Sequence, residues 1–396
     1  MTNSVLIPEM MLRFTCNQQG CCCKRWKINF DDDDLFRLLD VLDPEERSER
    51  LAGMSVRVDE ETQTALNFRL ATVGEDRSCQ FLAGTSCGLQ NKHGVEALPK
   101  ICRAFPAHAQ PGGQGLELHY DAVCPEVLEQ LAEDDRPFQL VEADASPGTD
   151  LGWRALFQFP LPEIHIGSRG FPPEELWVIR KRILAEVTRE GERGGAALDM
   201  LARVSYAIAR LINEEQQIDD FEVREGEPVA PFEEFFEVCM RSHQPLLLGR
   251  AIYEYRRFIF ALDLEGLEWD ELYNHLEWRD DWRMKLDWRE PEFQPLMLRF
   301  LGHRFFSSFD RLPEDRQLGF NYGTVTHGLA TAMRYAVALA DWTGRERVDM
   351  DTFKVALGAS EFMYRAWRLF PAAMPWFGLK AESPEWIQQV PTLTEG

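Results

Sequence analysis

Apolar residues recur at three-and-four spacing through most of the chain after residue 173, the pattern of helices that each bury one face. The runs lie at 174–190, 196–216, 232–241, 246–262, 269–282, 295–309, 322–342 and 351–370. Glu174 and Glu175 directly after Pro172 and Pro173 make a start signal, and Gly191 and Gly344 are expected stops. A helical bundle or array is therefore expected over 174–380, with a tail at 381–396. Ahead of it, 141–173 holds Pro147, Gly148, Gly152, Pro160, Pro162, Gly167, Gly170, Pro172 and Pro173, the breaker density of a linker.

Residues 1–140 are mixed in period. The stretch 35–42 reads as a short helix behind Asp31, Asp32, Asp33 and Asp34. A block of four carboxylates is expected to cap that helix, because a calcium loop needs spaced oxygens. Residues 116–120 alternate like a strand, and Gly112-Gly113-Gln114-Gly115 after Pro111 reads as a hairpin turn. The fold class expected is mainly α: a cysteine-rich metal-binding N-terminal module with few short strands, followed by the helical bundle or array.

Composition narrows the function classes. The chain has 396 residues, 45% of them hydrophobic, enough for a sizeable core, and no apolar run long enough to cross a bilayer. A formal charge of −23, with basic residues interleaved among acidic ones, argues against nucleic acid as a partner. Met1 to Phe14 lacks a basic start followed by an apolar run, so the thiol-rich chain is expected in a reducing cytoplasm.

Eight of the nine cysteines fall between residues 16 and 124: Cys16, Cys21, Cys22, Cys23, Cys79, Cys87, Cys102 and Cys124. A disulfide framework fits poorly with an odd total in a long chain, and scattered buried thiols would be spread evenly. Thiolates are the ligands that zinc and iron–sulfur centres select, and eight suffice for one or two four-coordinate centres. No two of these cysteines are separated by two residues, so the pattern is not a zinc ribbon. Successive side chains diverge, so one or two of the triplet Cys21, Cys22 and Cys23 are expected to ligate while the remainder packs or serves a second centre. His93, His108 and His119 could complete a zinc site, although isolated histidines near turns are more often solvated or capping groups. Cys239, on an apolar helical stretch, is expected in the core, its i, i+4 spacing to His243 being accidental since no orienting third group accompanies them.

The ordered elements Phe14-Thr15-Cys16, Gly20-Cys21-Cys22-Cys23, Cys79-Gln80-Phe81-Leu82, Cys87-Gly88-Leu89, Cys102-Arg103-Ala104-Phe105-Pro106 and Cys124-Pro125-Glu126 cover roughly the first 130 residues. As a set they resemble the YkgJ-like cysteine-cluster family of zinc- or iron-chelating domains, and within it they are most similar to the flagellin lysine-N-methylases. Lys24-Arg25, where those have a glycine before the tryptophan, and Ala107-His108, where they tend to have arginine, depart from the pattern. The resemblance implies an iron–sulfur centre of the [4Fe–4S] type held by cysteines, with zinc the alternative. For the methylase branch it also implies S-adenosylmethionine as methyl donor and a protein substrate, flagellin lysines. No glycine-rich strand-turn-helix fingerprint for a nucleotide-type cofactor is visible beside it.

Trp269, Trp278, Trp282 and Trp288 crowd one segment, near Asp270, Glu277 and Asp280. Such a stripe is usually core, and otherwise could line a groove for a sulfonium or alkylammonium cation. A methyl transfer to lysine needs a group that steers a neutral amine; Tyr206, Tyr253, Tyr255, Tyr322 and Tyr335 lie on expected helices, and spacing singles out none of them. Two functions stand: an iron–sulfur protein-lysine N-methyltransferase, and a non-catalytic zinc- or iron-binding protein whose helical region binds a partner.

Overall fold

The computed structural model describes residues 4–24, 28–58, 65–73, 78–154, 164–166, 169–212, 217–227, 229–241, 252–253, 255, 259, 262, 264, 266–277, 281–307 and 318–365. Helices dominate and the strands are few and short. Two compact units emerge: Met1–Val5, Thr15–Gln110 and Glu142–Phe159 form the first, while Leu6–Phe14, Pro111–Val141 and Pro160–Gly396 form the second. The stretch 111–141 thus belongs with the long helices, and the glycine- and proline-rich region expected as a linker is shared between the units.

In the first unit, helix α1 (Asp32–Val41) starts where the aspartate run expects it. The Asp31 carboxylate accepts the Asp34 amide at 3.0 Å, satisfying one of the unpaired donors of the first turn. Helix α2 (Pro44–Arg50) has a capping box, with Asp43 and Glu46 bonding each other's amides and Pro44 at its first position. Strands β2 (Asn29–Phe30), β3 (Ser55–Val58) and β4 (Ala65–Arg69) make a three-stranded sheet in the order β2-β4-β3. Strands β5 (Thr72–Val73) and β6 (Ser78–Cys79) pair as a ribbon, and β7 (Leu82–Ala83) pairs with β8 (Ser86–Cys87) around Gly84 and Thr85. A two-residue hairpin loop needs a left-handed residue, which Gly84 supplies at φ +64°. The core of this unit is small: Ile28, Phe30, Leu38, Leu42, Leu70, Phe81, Leu89 and Leu98 pack with Cys79.

In the second unit the expected helices form with shifted ends. Helices α7 (Pro173–Arg193), α8 (Ala197–Ile212) and α9 (Ala230–Arg241) surround two that are buried along most of their length, Gln294–Ser307 and Leu318–Trp342, with Met350–Arg365 packed on the latter. Helix α7 does not stop at Gly191. It runs to Arg193 and ends on Gly194, left-handed at φ +65°, because Gly191 is a packing position whose would-be Cβ meets Pro137 at 3.0 Å. The run 269–282 is not one helix but two short ones, Leu272–His275 and Trp282–Lys285. The expected helix at 246–262 and the tail at 381–396 lie largely or wholly outside the described residues. Among the described residues no helix is long and apolar enough to cross a membrane.

Strands β1 (Ser4–Pro8), β9 (Ala107–Gly112), β10 (Gly115–Tyr120) and β11 (Leu140–Asp144) form a four-stranded sheet in the order β11-β1-β10-β9, with the expected glycine-rich hairpin turn between β9 and β10. After β10, helix α5 (Pro125–Glu133) leads to Phe138, whose ring is fully buried against Gly302: a Cβ added there would stand 2.4 Å from the ring. Replacing Gly302 by alanine should cost about 1–3 kcal/mol through overpacking, read as a lowered urea midpoint with unchanged slope.

Asp134, just after α5, is held by Arg136 through its backbone amide at 2.9 Å and its guanidinium at 2.7 Å. The Arg136 guanidinium holds the Asp134 carboxyl below the usual range against the opposing effect of burial. A depressed folded-state value adds stability above the unfolded carboxylate value of about 3.9, and that increment disappears as pH falls through the folded value. Asp134→Asn should therefore lower the melting temperature at neutral pH, with the gap to wild type closing in acid, below the free-carboxylate range. A gap that persists in acid would assign the effect to packing instead of charge.

Candidate metal centre

Cys16, Cys21, Cys22, Cys23, Cys79, Cys87 and Cys102 belong to the first unit and Cys124 to the second. No two of the nine cysteines are joined as a disulfide. Cys23, Cys79, Cys87 and Cys102 all pack on the single small core of the first unit, although they come from four separate segments.

Local backbone explains the convergence. Cys21–Cys23 form one 3-10 turn, entered through Gly20 in the left-handed region at φ +64° and closed by the Cys23 amide on the Gly20 carbonyl at 2.9 Å. A Cβ on Gly20 would stand 2.6 Å from the Thr85 carbonyl oxygen, so only glycine lets the triplet sit against the tip of the β7–β8 hairpin. An antiparallel bridge between Lys24 and Ser78 sets Cys23 beside Cys79. Cys87 ends β8 and is the residue before helix α3 (Gly88–His93), the hairpin base being closed by the Gly88 amide on the Phe81 carbonyl at 2.7 Å.

Cys102 lies in the one-turn helix α4 (Lys100–Ala104), and the aspartate run positions it. Buried Asp34 accepts the Lys100 amide at 3.0 Å and the Arg37 guanidinium at 2.7 Å, while the Lys100 ammonium pairs with Asp31 at 2.7 Å and Asp33 at 3.1 Å. The run is thus both a cap and a clamp between α1 and α4. Asp34→Ala should cost about 1–3 kcal/mol, because a buried amide and a guanidinium lose their acceptor, and should lower the thermal midpoint of the first unit.

The neighbouring Cys22 and Cys87 thiols hold the Cys23 thiol well down, to about 4. Cys87 is pushed up by Cys23 and then by burial, and burial pushes Cys79 up to about 11. Cys102 is raised by burial first and then by Cys79, Cys23 and Asp34, which places it in electrostatic reach of the others. Backbone amides donate to two of these sulfurs, Phe81 to Cys79 and Gln90 to Cys87, the kind of bond that orients and stabilises thiolate ligands. The Gln18 amide does the same for exposed Cys16 at 3.3 Å. Even so, among the described residues no three His, Cys, Asp or Glu side chains stand ready around one point to hold a metal ion, so the expected metal-binding group is not assembled.

The remaining candidates sit elsewhere in the structure. Cys124 is the N-cap residue of α5, with Pro125 at the first helical position and Glu126 in the first turn, so its motif reads as a helix start. His93 lies 3.4 Å from Glu46, and His108 is buried on β9. His119, in the second unit, stacks on Phe306 at 4.4 Å between centroids and lies 3.3 Å from Glu117. Cys239 is core as expected, and its sulfur meets His327 at 3.8 Å; His243 lies outside the described residues.

Trp282 and Trp288 are buried against each other at 4.8 Å, and the cation over their rings is the protein's own Arg283. Trp269 leans on Trp342 at 4.8 Å, while Trp278 and Asp280 lie outside the described residues. Tyr206, Tyr255 and Tyr335 are buried, with the Tyr255 hydroxyl donating to the Val123 carbonyl at 3.4 Å. Tyr253 is 37% exposed and sets its ring edge-on to Trp269 at 5.8 Å, and the side chain of Tyr322 is not among those described.

Sequence reasoning missed Gly20, Asp34 and the amides of Phe81 and Gln90. Asp34 had a signal, an aspartate at the inward position of an otherwise exposed acidic block. No family model, no curated protein and no solved structure matches the chain.

Proposed function

We propose that the first unit is a thiolate metal-binding module in which Cys23, Cys79, Cys87 and Cys102 hold one metal ion. The observation that carries this reading is the packing of four cysteines from four segments on one small core. Four soft donors suit zinc or an iron–sulfur cluster. Four cysteines on one small core suit a single four-coordinate ion such as zinc. Cys16, Cys21, Cys22 and Cys124 lie outside this ligand set. Elemental analysis of anaerobically purified protein with electron paramagnetic resonance tests it. One zinc per chain in a colourless preparation is expected; a brown protein that bleaches on reduction selects the cluster, and protein without metal overturns the reading.

A second reading keeps the methyl transfer. It is favoured by the source of the four sulfurs, which are those of the Gly20-to-Cys23, Cys79, Cys87 and Cys102 elements on which the resemblance to the flagellin lysine-N-methylases rests. On that reading the helical unit binds S-adenosylmethionine and a protein lysine in the cytoplasm. Titration calorimetry with S-adenosylmethionine is expected to show heat, and mass spectrometry a methylated protein partner. Absence of both removes the enzyme and leaves the metal module.

A further inference from the structure

We propose that the face of α7 and α8 is a docking groove for an acidic, phenylalanine-bearing peptide of a partner protein, and that residues 217–227 are an internal occupant which such a peptide displaces. The groove belongs to the second unit and owes nothing to the metal reading. Between α8 and α9, residues 217–227 carry Asp219, Asp220, Glu222, Glu225 and Glu227 around Phe221, with no helix or strand of their own. Phe221 is fully buried while Asp220 and Glu222 on either side are exposed, so one aromatic side chain anchors an otherwise acidic strap.

Arginines build its seat. The Arg182 guanidinium donates to the Phe221 carbonyl and, at 2.6 Å, to the Asp219 carbonyl. Glu225 lies 2.9 Å from Arg193 and 3.6 Å from Arg189, and Arg210 takes Glu227 while donating to the Glu222 carbonyl at 3.4 Å. Among the described residues, Arg193 and Arg210 form ion pairs only with carboxylates of this strap. Glu186 and Glu190 on α7 are committed to Arg203 at 2.9 and 2.7 Å, so the guanidiniums of Arg182, Arg193 and Arg210 are what an incoming acidic ligand would meet. In a chain of formal charge −23 they give this face donors for carboxylates and peptide carbonyls, with an aromatic seat beside them.

The strap is exchangeable because of what holds it. Exposed ion pairs each contribute little and are screened by salt, and the aromatic anchor is single. A tethered segment competes at an effective concentration of about millimolar, so a partner peptide takes the groove by binding more tightly or once the anchor is loosened. Weakening the anchor should therefore raise affinity for a peptide of the strap's own chemistry.

The test uses the full chain and a fluorescent synthetic peptide of sequence 217–227, with binding read by anisotropy for wild type and Phe221→Ala. Phe221→Ala empties the aromatic seat and leaves the arginines in place, so it is expected to bind the probe about tenfold more tightly than wild type, and less so as salt rises. Adding Arg182→Ala should abolish that gain, and a probe with alanine in place of phenylalanine should not bind. In wild type, excess probe should speed hydrogen exchange of the 217–227 amides while α7 and α8 keep their protection. Failure of the probe to bind Phe221→Ala with a circular dichroism spectrum like wild type overturns the proposal. If that variant does not fold, unchanged exchange of 217–227 under excess probe overturns it alone. A dimer in light scattering, formed by two copies exchanging their straps, overturns the partner peptide in favour of a second copy of this chain.

Discussion

Cys102→Ser and Cys79→Ser are expected to abolish stoichiometric metal binding and to unfold the first unit while the helical unit keeps its circular dichroism signal. The described core of the first unit is small. Several of its strands are two residues long, and the buried core is a handful of side chains around Cys79. Apparent binding energies of structural zinc run to about 10–16 kcal/mol, as large as the whole stability of an ordinary domain, so ligand loss should dominate any packing change from sulfur to oxygen. Cys124→Ser, at the start of α5, serves as the control and should bind metal like wild type. Full metal content in Cys102→Ser would remove that residue from the ligand set.

The second large effect is expected in the helical unit. Glu361 is buried and takes the Arg304 guanidinium at 2.7 and 2.8 Å on its two oxygens. Glu361→Ala removes a buried carboxylate partner of that cation, which should cost about 3–5 kcal/mol. Replacing both partners, Arg304→Met with Glu361→Leu, should recover most of the loss, because the desolvation cost of the two charges goes with them. Urea denaturation of the single and double variants checks this. Equal losses in all of them would show that the site answers to volume and not to charge.

The helices were legible because period survives in sequence. The alternation of the β10 strand and the cap at Asp31 were legible for the same local reason. What sequence did not show is set by contacts between distant residues. Gly191 looks like a stop until Pro137 is seen against it. The run 269–282 looks continuous until Trp282 and Trp288 turn inward on each other. Among the cysteines, order along the chain gave candidates but no partners. That Cys23 of the triplet packs on the core depends on Gly20 meeting Thr85 and Lys24 bridging Ser78, contacts that leave no periodic trace. Cys124 carries a motif whose spacing is equally a helix beginning.

The two-residue strands around Cys79 and Cys87 have a consequence for the protein's lifetime. Such ribbons cannot persist by their own ladders, so if the proposed ion is held there, the segments that carry Cys79 and Cys87 would open together on its loss. On that proposal, exposure to proteases would follow the supply of metal, and abundance would become a readout of it without any change in synthesis.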